Sequence, residues 1–246
     1  MFGEFRWEVV TAWLPMLWKG VQMTIMITTI AVAVGTIIGL VVSLLRLSHI
    51  KPIQWFGKAY VDFLRGTPLL VQIMLVHFGG PEVVRAVVGF LHSVGPGFLT
   101  QFLPTEIRAF DAFFSGTLAL SLNSGAYIAE IFRAGIQSID RGQMEAARSL
   151  GMTFGQAMRY VVLPQAFKRS IPPLGNEFIA MLKDSSLVAI ISVQELMMSG
   201  RIMQSRTFRP LETWLTVAFM YLVLTMTISQ FVSYLERRFG KSDRSE

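Results

Sequence analysis

Asn123, Tyr127 and Glu130 stand at i, i+4 and i+7 in an otherwise apolar stretch, so a helix there carries all three on one face, with Ser124 beside Asn123. A polar stripe inside a membrane-length apolar run must face protein or water. Two roles are open to it: the wall of a path that hydrogen-bonds a polar solute, or glue between helices, with Glu130 paired to Arg133 three residues on. Lys183-Asp184-Ser185-Ser186 interrupts a second apolar stretch. Adjacent helical residues point in different directions, so Lys183 and Asp184 do not fully neutralise each other, and at least one charge needs a further partner. That partner is a solute, a second copy of the chain, or a local helix break lining a water-filled cavity. Gln72 belongs to the same path, or serves as a helix contact.

Covalent chemistry finds no comparable residues. The chain has no cysteine, which excludes disulfides, thiolate catalysis and cysteine-ligated metals. His49, His77 and His92 lack metal-ligand spacing, and the fourteen methionines read as adaptable packing. There is no Ser-His-Asp arrangement or HExxH motif. Gly240-Lys241-Ser242 is reminiscent of a phosphate-binding loop, but the earlier glycine that loop requires would fall at 235, which is Leu. The sequence reads as neither an enzyme nor an ATP binder, and no cofactor is assigned to it.

A third constellation is mechanical. Glu145-Ala146-Ala147-Arg148-Ser149-Leu150-Gly151 is followed by Thr153 to Tyr160 and then Val161-Val162-Leu163-Pro164. Ala146, Ala147 and Leu150 favour helix, Gly151 can take the left-handed C-terminal cap, Thr153 can cap a second helix, and Pro164 is expected to end it. Two short helices joined at a fixed bend make a rigid protrusion.

The elements that must position these residues are membrane helices. Hydrophobic residues make up 52% of the chain and charged ones 15%, against roughly 25% charged in a soluble domain. The apolar residues gather in long uncharged runs, so the expectation is an all-α integral membrane protein with five spans, at about 20–45, 61–79, 112–135, 171–197 and 213–235. Residues 1–19, with Trp7, Trp13 and Trp18 among charges, read as a separate interfacial segment, and 80–111 as an external loop with a short helix near 82–92, broken by Gly95, Pro96 and Gly97. Residues 139–169 form the long loop carrying the protrusion, and 236–246 a tail. Lys and Arg number four from Arg46 to Arg65, six from Arg133 to Arg169 and four after Leu235, whereas 80–111 has only Arg85 and Arg108. Arg201, Arg206 and Arg209 run against this trend, but the balance puts the N-terminus outside and the C-terminus and protrusion in the cytoplasm. The net charge of +6 is thereby a matter of topology, with no single basic surface for nucleic acid.

The stretch Glu145 to Pro164 resembles the EAA signature of ABC-importer permeases, matching Glu-Ala-Ala, Gly151 after three intervening residues, the aliphatic residue at Val161 and Leu163-Pro164. The resemblance extends over about residues 20–235. Arg65 to Gln72, Ala126 to Glu130 and Leu182 to Leu187 look like the polar amino-acid branch of that family, of MetI-like type I fold. It implies that Glu145, Ala146, Ala147, Gly151, Leu163 and Pro164 form a coupling element seated in a separate ATPase subunit. It further implies two such ATPases using ATP and magnesium, a second permease, identical or homologous, an external substrate-binding protein, an amino-acid substrate and a bacterial cytoplasmic membrane. A permease for another small solute, a self-sufficient channel or ion-driven carrier using Asp184 or Glu130, and a membrane enzyme using Lys183 and Asp184 are the alternatives, none of the last three explaining the Glu145–Pro164 spacing.

Overall fold

The computed structural model describes residues 5–94 and 109–240, with side chains as far as Arg237, and these residues form helices and short connections without a strand. The helices are α1 (Trp7–Arg46), α2 (Lys51–Gly66), α3 (Leu69–Val94), α4 (Ala112–Gln137), α5 (Arg141–Ser149), α6 (Phe154–Ile191), α7 (Leu196–Thr207) and α8 (Pro210–Gly240). α1, α3 and α8 are each long and apolar enough to cross a membrane, and α6 with α7, bent by 51° at their junction, passes the same test only if the pair is taken together as one broken span.

α4 does not reach that apolar content, and its position explains why. It packs along α1 on one side and α6 on the other. Its buried residues include Ser115, Thr117, Ser121, Asn123 and Ser124 among small and apolar side chains. A helix surrounded by protein needs small residues for close approach more than it needs bulk against lipid. α1 answers with Gly35-x-x-x-Gly39: a Cβ on Gly35 would lie 3.0 Å from the Ser124 Cβ, and one on Gly39 would lie 2.7 Å from the Ile128 Cγ2. Beyond this contact Ile27 and Ala31 of α1, Ile73 of α3, Ala119 and Leu120 of α4, and Met181 and Val188 of α6 close the main core.

Several boundaries differ from those read in the sequence. The expected interfacial segment 1–19 has no break at its end; from Trp7 it is the first part of α1, carried through Pro15 because Leu17 and Val21 pack with Leu196, Met203 and Val217. The expected span 61–79 is two helices. Pro68 disfavours helical backbone at Thr67, which is extended at φ −116° and ψ 145°, so α2 stops at Gly66 and a new helix starts at Leu69. That helix runs on into the expected loop 80–111, as far as Val94, past Pro81. A π turn at Leu75–Gly79 precedes this proline and loosens the ladder where a donor is missing.

The same device corrects a second expectation. Pro164 does not end the helix begun at Phe154, because a π turn at Met158–Val162 precedes it and the helix continues. The expected span 171–197 is therefore the later part of α6, which tightens to a 3₁₀ helix at Ser185–Ile191 and stops where Ser192 turns left-handed at φ 66°. The last expected span, 213–235, begins earlier, at Pro210, and takes in the first part of the tail to Gly240. Gly95, Pro96 and Gly97 and the tail beyond Gly240 lie outside the described residues.

The glycine contact predicts that Gly39→Val lowers the thermal unfolding temperature of the detergent-solubilised chain, at a cost of about 1–3 kcal/mol from overpacking. Gly89→Ala, where an added Cβ meets nothing within 4 Å, is the control and should not destabilise. Equal unfolding temperatures for Gly39→Val and the parent chain would contradict this packing.

Candidate functional site

Gln72 is buried directly after the α2–α3 break and closes it. Its amide nitrogen donates to the Leu64 carbonyl at 2.7 Å, the Thr67 carbonyl at 3.0 Å and the Thr67 hydroxyl at 2.9 Å. Its carbonyl accepts from Asn123 Nδ2 at 2.9 Å. Asn123 and Gln72 thus form a clamp between α4 and the start of α3, which is the helix-contact role left open for both. Tyr60 ties α2 to the same region, its hydroxyl donating to the Leu122 carbonyl at 2.7 Å.

Glu130 lies one end of α4 away, where α1 and α2 converge. Its carboxylate accepts from Arg46 and from Arg133, the latter through Nη2 at 2.7 Å and Nε at 2.9 Å, and Arg65 lies 3.6 Å away. The i+3 pair with Arg133 expected from the sequence is one part of a larger hub joining three helices. Tyr127, partly exposed, stacks under Arg65, whose guanidinium carbon is 5.2 Å from the ring centre. The polar face of α4 is therefore divided, with Asn123 turned to α3 and Tyr127 and Glu130 to the arginines.

Ser124 points elsewhere. Its hydroxyl is fully buried without a hydrogen-bond partner among the described residues, packed against Gly35 of α1 and close enough to Glu177 of α6 to act on its carboxyl. Asp184, seven residues beyond Glu177 and so on the same face, interacts with both Glu177 and Lys183. Ser185 is buried and donates to the Leu182 carbonyl at 2.8 Å, Ser186 is partly buried, and the backbone changes from α to 3₁₀ at this point. Lys183 is exposed on the single chain. Ser124, Glu177 and Asp184 make a polar seam between α4 and α6 within a largely apolar body. In the sequence Glu177 is merely an interruption of an apolar run; its seven-residue spacing from Asp184 is the signal that joins the two.

Glu195 carried no sequence signal, because glutamate is not a favoured helix cap. Completely buried, it caps α7 by accepting from Met197 N at 2.8 Å and Met198 N at 2.7 Å, and it also accepts from Tyr221 of α8 at 2.9 Å and Thr24 of α1 at 3.3 Å.

The hairpin of α5 and the start of α6 has the expected local form. Asp140 caps α5, its carboxylate accepting from Gly142 N. Gly151 follows at φ +87°, and Thr153 and Gln156 exchange the two bonds of a capping box. Ala147 is buried, while Glu145 and Ala146 are exposed and Leu150 is 82% exposed at the tip. Ile139, Val162 and Ala166, with Met144 and Met158 against them, form the hairpin's own core, and Arg169 donates to the Ser138 carbonyl at 2.5 Å. Leu163 and Pro164 lie beyond the hairpin on the exposed side of α6.

The chain belongs to the family of binding-protein-dependent transport system inner membrane components, whose family model matches residues 31–241. It is a membrane permease subunit of the ABC-transporter class. It is 40% identical to the probable glutamine ABC transporter permease protein GlnM of Bacillus subtilis (strain 168), over 91% of this chain and 93% of that one. It is 35% identical to the glutamate/aspartate import permease protein GltK of Escherichia coli O157:H7, over 96% and 98%. A chain in a crystal structure of an amino acid ABC transporter with histidines superposes with a TM-score of 0.82 at 42% identity, covering 97% of this chain and all of that one. A chain of the inward-facing MetNI methionine ABC transporter shares the fold, with a TM-score of 0.71 at 19% identity over 91% and 96%.

The clamp predicts an order of effects. Gln72→Leu strands the Leu64 and Thr67 carbonyls and the Asn123 amide and should cost about 1–3 kcal/mol. Asn123→Leu leaves Gln72 capping the break and should cost less. Thermal unfolding of the two variants in detergent checks this, and an equal or greater loss for Asn123→Leu would contradict it.

Proposed function

We propose that this chain imports polar amino acids across a bacterial cytoplasmic membrane as the pore-forming half of an ATP-driven complex, paired with a second permease. ATP and magnesium are used by two separate ATPase subunits, and solute is delivered by an external binding protein. Five crossings, formed by α1, α3, α4, the α6–α7 pair and α8, leave the hairpin in the cytoplasm, where the Lys and Arg distribution puts it.

The observation that carries this reading is the continuity of α6. Glu145, Ala146 and Leu150 form the outward edge of a hairpin fixed by Gly151, and the next helix runs unbroken from Phe154 to Ile191, through Leu163-Pro164 and past Glu177 and Asp184. At 1.5 Å per residue that is a lever of about 55 Å. An ATPase that grips Glu145 to Gly151 moves the polar seam through this continuous helix, whose π turn before Leu163-Pro164 and whose Pro172 and Pro173 are the places where it can bend.

The seam is the proposed contact with solute. Ser124, Glu177, Asp184 and Ser186 offer hydroxyl and carboxylate oxygens to an ammonium group, and the exposed Lys183 offers a cation to a carboxylate or to the second permease. Gln72, Asn123, Tyr127 and Glu130 frame that seam from their clamp and hub. The relatives named for glutamine and for glutamate and aspartate support the choice of polar amino acids.

Gly151→Pro forces φ to about −65° where the hairpin needs a positive value. In proteoliposomes containing the whole complex, ATP-dependent amino-acid uptake should fall by about tenfold or more, with the chain still inserted. Uptake at the parent rate would overturn the coupling assignment, and uptake by the permease chain without any ATPase would overturn the ATP-driven reading.

A further inference from the structure

Where α1 ends, a cleft of about 490 Å³ opens between the end of α1, the outer face of α2 and the end of α4. Its lining includes Arg46, Lys51, Lys58 and Arg133, together with Gln54 and Trp55, and no acidic side chain. Arg46 and Arg133 are partly engaged by Glu130 from behind. Lys51 and Lys58 are exposed and have no hydrogen bond or ion pair among the described residues. Four cations against two neighbouring carboxylates, Glu130 and Asp62 one turn from Lys58 on α2, leave a net positive field in a concave site, the setting that holds a phosphate group.

The surroundings say which phosphate. α2 is strongly amphipathic: Gly57, Val61 and Leu64 face the core, whereas Trp55 is 71% exposed, Phe56 is 65% exposed and Ile53 is also exposed. The adjoining flank of α1 exposes Leu40, Val41 and Leu44. A basic cleft bordered by a tryptophan and opening onto apolar helix flanks has the polarity profile of a bilayer interface, charge at headgroup level and hydrocarbon beside it. A free anion has no use for the apolar margin.

We propose that this cleft is a binding site for the headgroup of an acidic glycerophospholipid, its phosphate between Lys51, Lys58 and the outer faces of Arg46 and Arg133, and its acyl chains along Val41 and Leu44. The occupant draws on the same two arginines that hold Glu130, so it bears on the junction of α1, α2 and α4. The site does not depend on which solute is carried.

The test uses the full chain reconstituted in phosphatidylcholine nanodiscs with spin-labelled phosphatidylglycerol, reading the immobilised lipid fraction. The double variant Lys51→Gln, Lys58→Gln should bind the labelled lipid roughly tenfold more weakly than the parent chain, since each lysine contributes a separate attraction. Lys51→Arg, Lys58→Arg should bind as the parent does, and all three should unfold at the same temperature. Undiminished binding by the glutamine variant, or loss of binding in the arginine variant, would overturn the proposal. So would displacement of the lipid by soluble glycerol phosphate as effectively as by unlabelled phosphatidylglycerol, which would make the cleft a site for soluble anions. Loss of the ATPase from the complex in the glutamine variant with lipid binding intact would assign the cleft to that partner instead.

Discussion

A helix that breaks inside an apolar solvent must find partners for the backbone groups it releases, and the protein alone can supply them. This molecule breaks its helices twice within the bundle and answers both times with a single buried polar side chain. Gln72 collects the carbonyls left by the turn at Thr67-Pro68, and Glu195 collects the amides at the start of α7. Each cap then extends to other helices, Gln72 to Asn123 of α4, and Glu195 to Thr24 of α1 and Tyr221 of α8. The caps that permit the bends are thus the links that fix the bent segments in place. Where the ladder is interrupted by Pro81 or Pro164, a preceding π turn lets the helix continue, and the outcome is a long α6 and a long α3.

The second organising feature is the close approach of α1 and α4 through Gly35 and Gly39. It sets α4 at the centre and divides its polar residues among three neighbours: Asn123 to α3, Ser124 to α6, Glu130 to the arginines of α1 and α2. A stripe that looks uniform in sequence becomes three different jobs. Only the Ser124 side leads to further carboxylates, which is why the proposed solute contact lies between α4 and α6.

Much of this was legible in the residues themselves. Long uncharged runs located α1 and α8, and the bounds of α4 were closely read because Asp111 before it and Gly135 near its end frame a clean stretch. The bend of the hairpin is legible in Gly151 and Thr153, which act through local backbone geometry, but its end is not, since the helix runs on past Pro164. The rest depended on contacts distant in sequence. Thr67-Pro68 outweighed the apolar pattern that suggested a single span, tertiary packing carried α1 through Pro15, and the convergence of Arg46 and Arg65 on Glu130 joins residues that no spacing rule connects. Glu195 was missed because its capping role runs against its usual preference.

In the proposed mechanism, the hairpin around Glu145 is where an ATPase takes hold of the membrane helices. The chain has no native cysteine, so a single Glu145→Cys variant gives one unambiguous thiol at the exposed edge of that hairpin. Cross-linking of this thiol to the ATPase subunit is measured in the assembled complex with and without ATP. A cross-link to the ATPase whose yield changes with nucleotide is the expected result. Absence of any cross-link in a complex that still transports would contradict it.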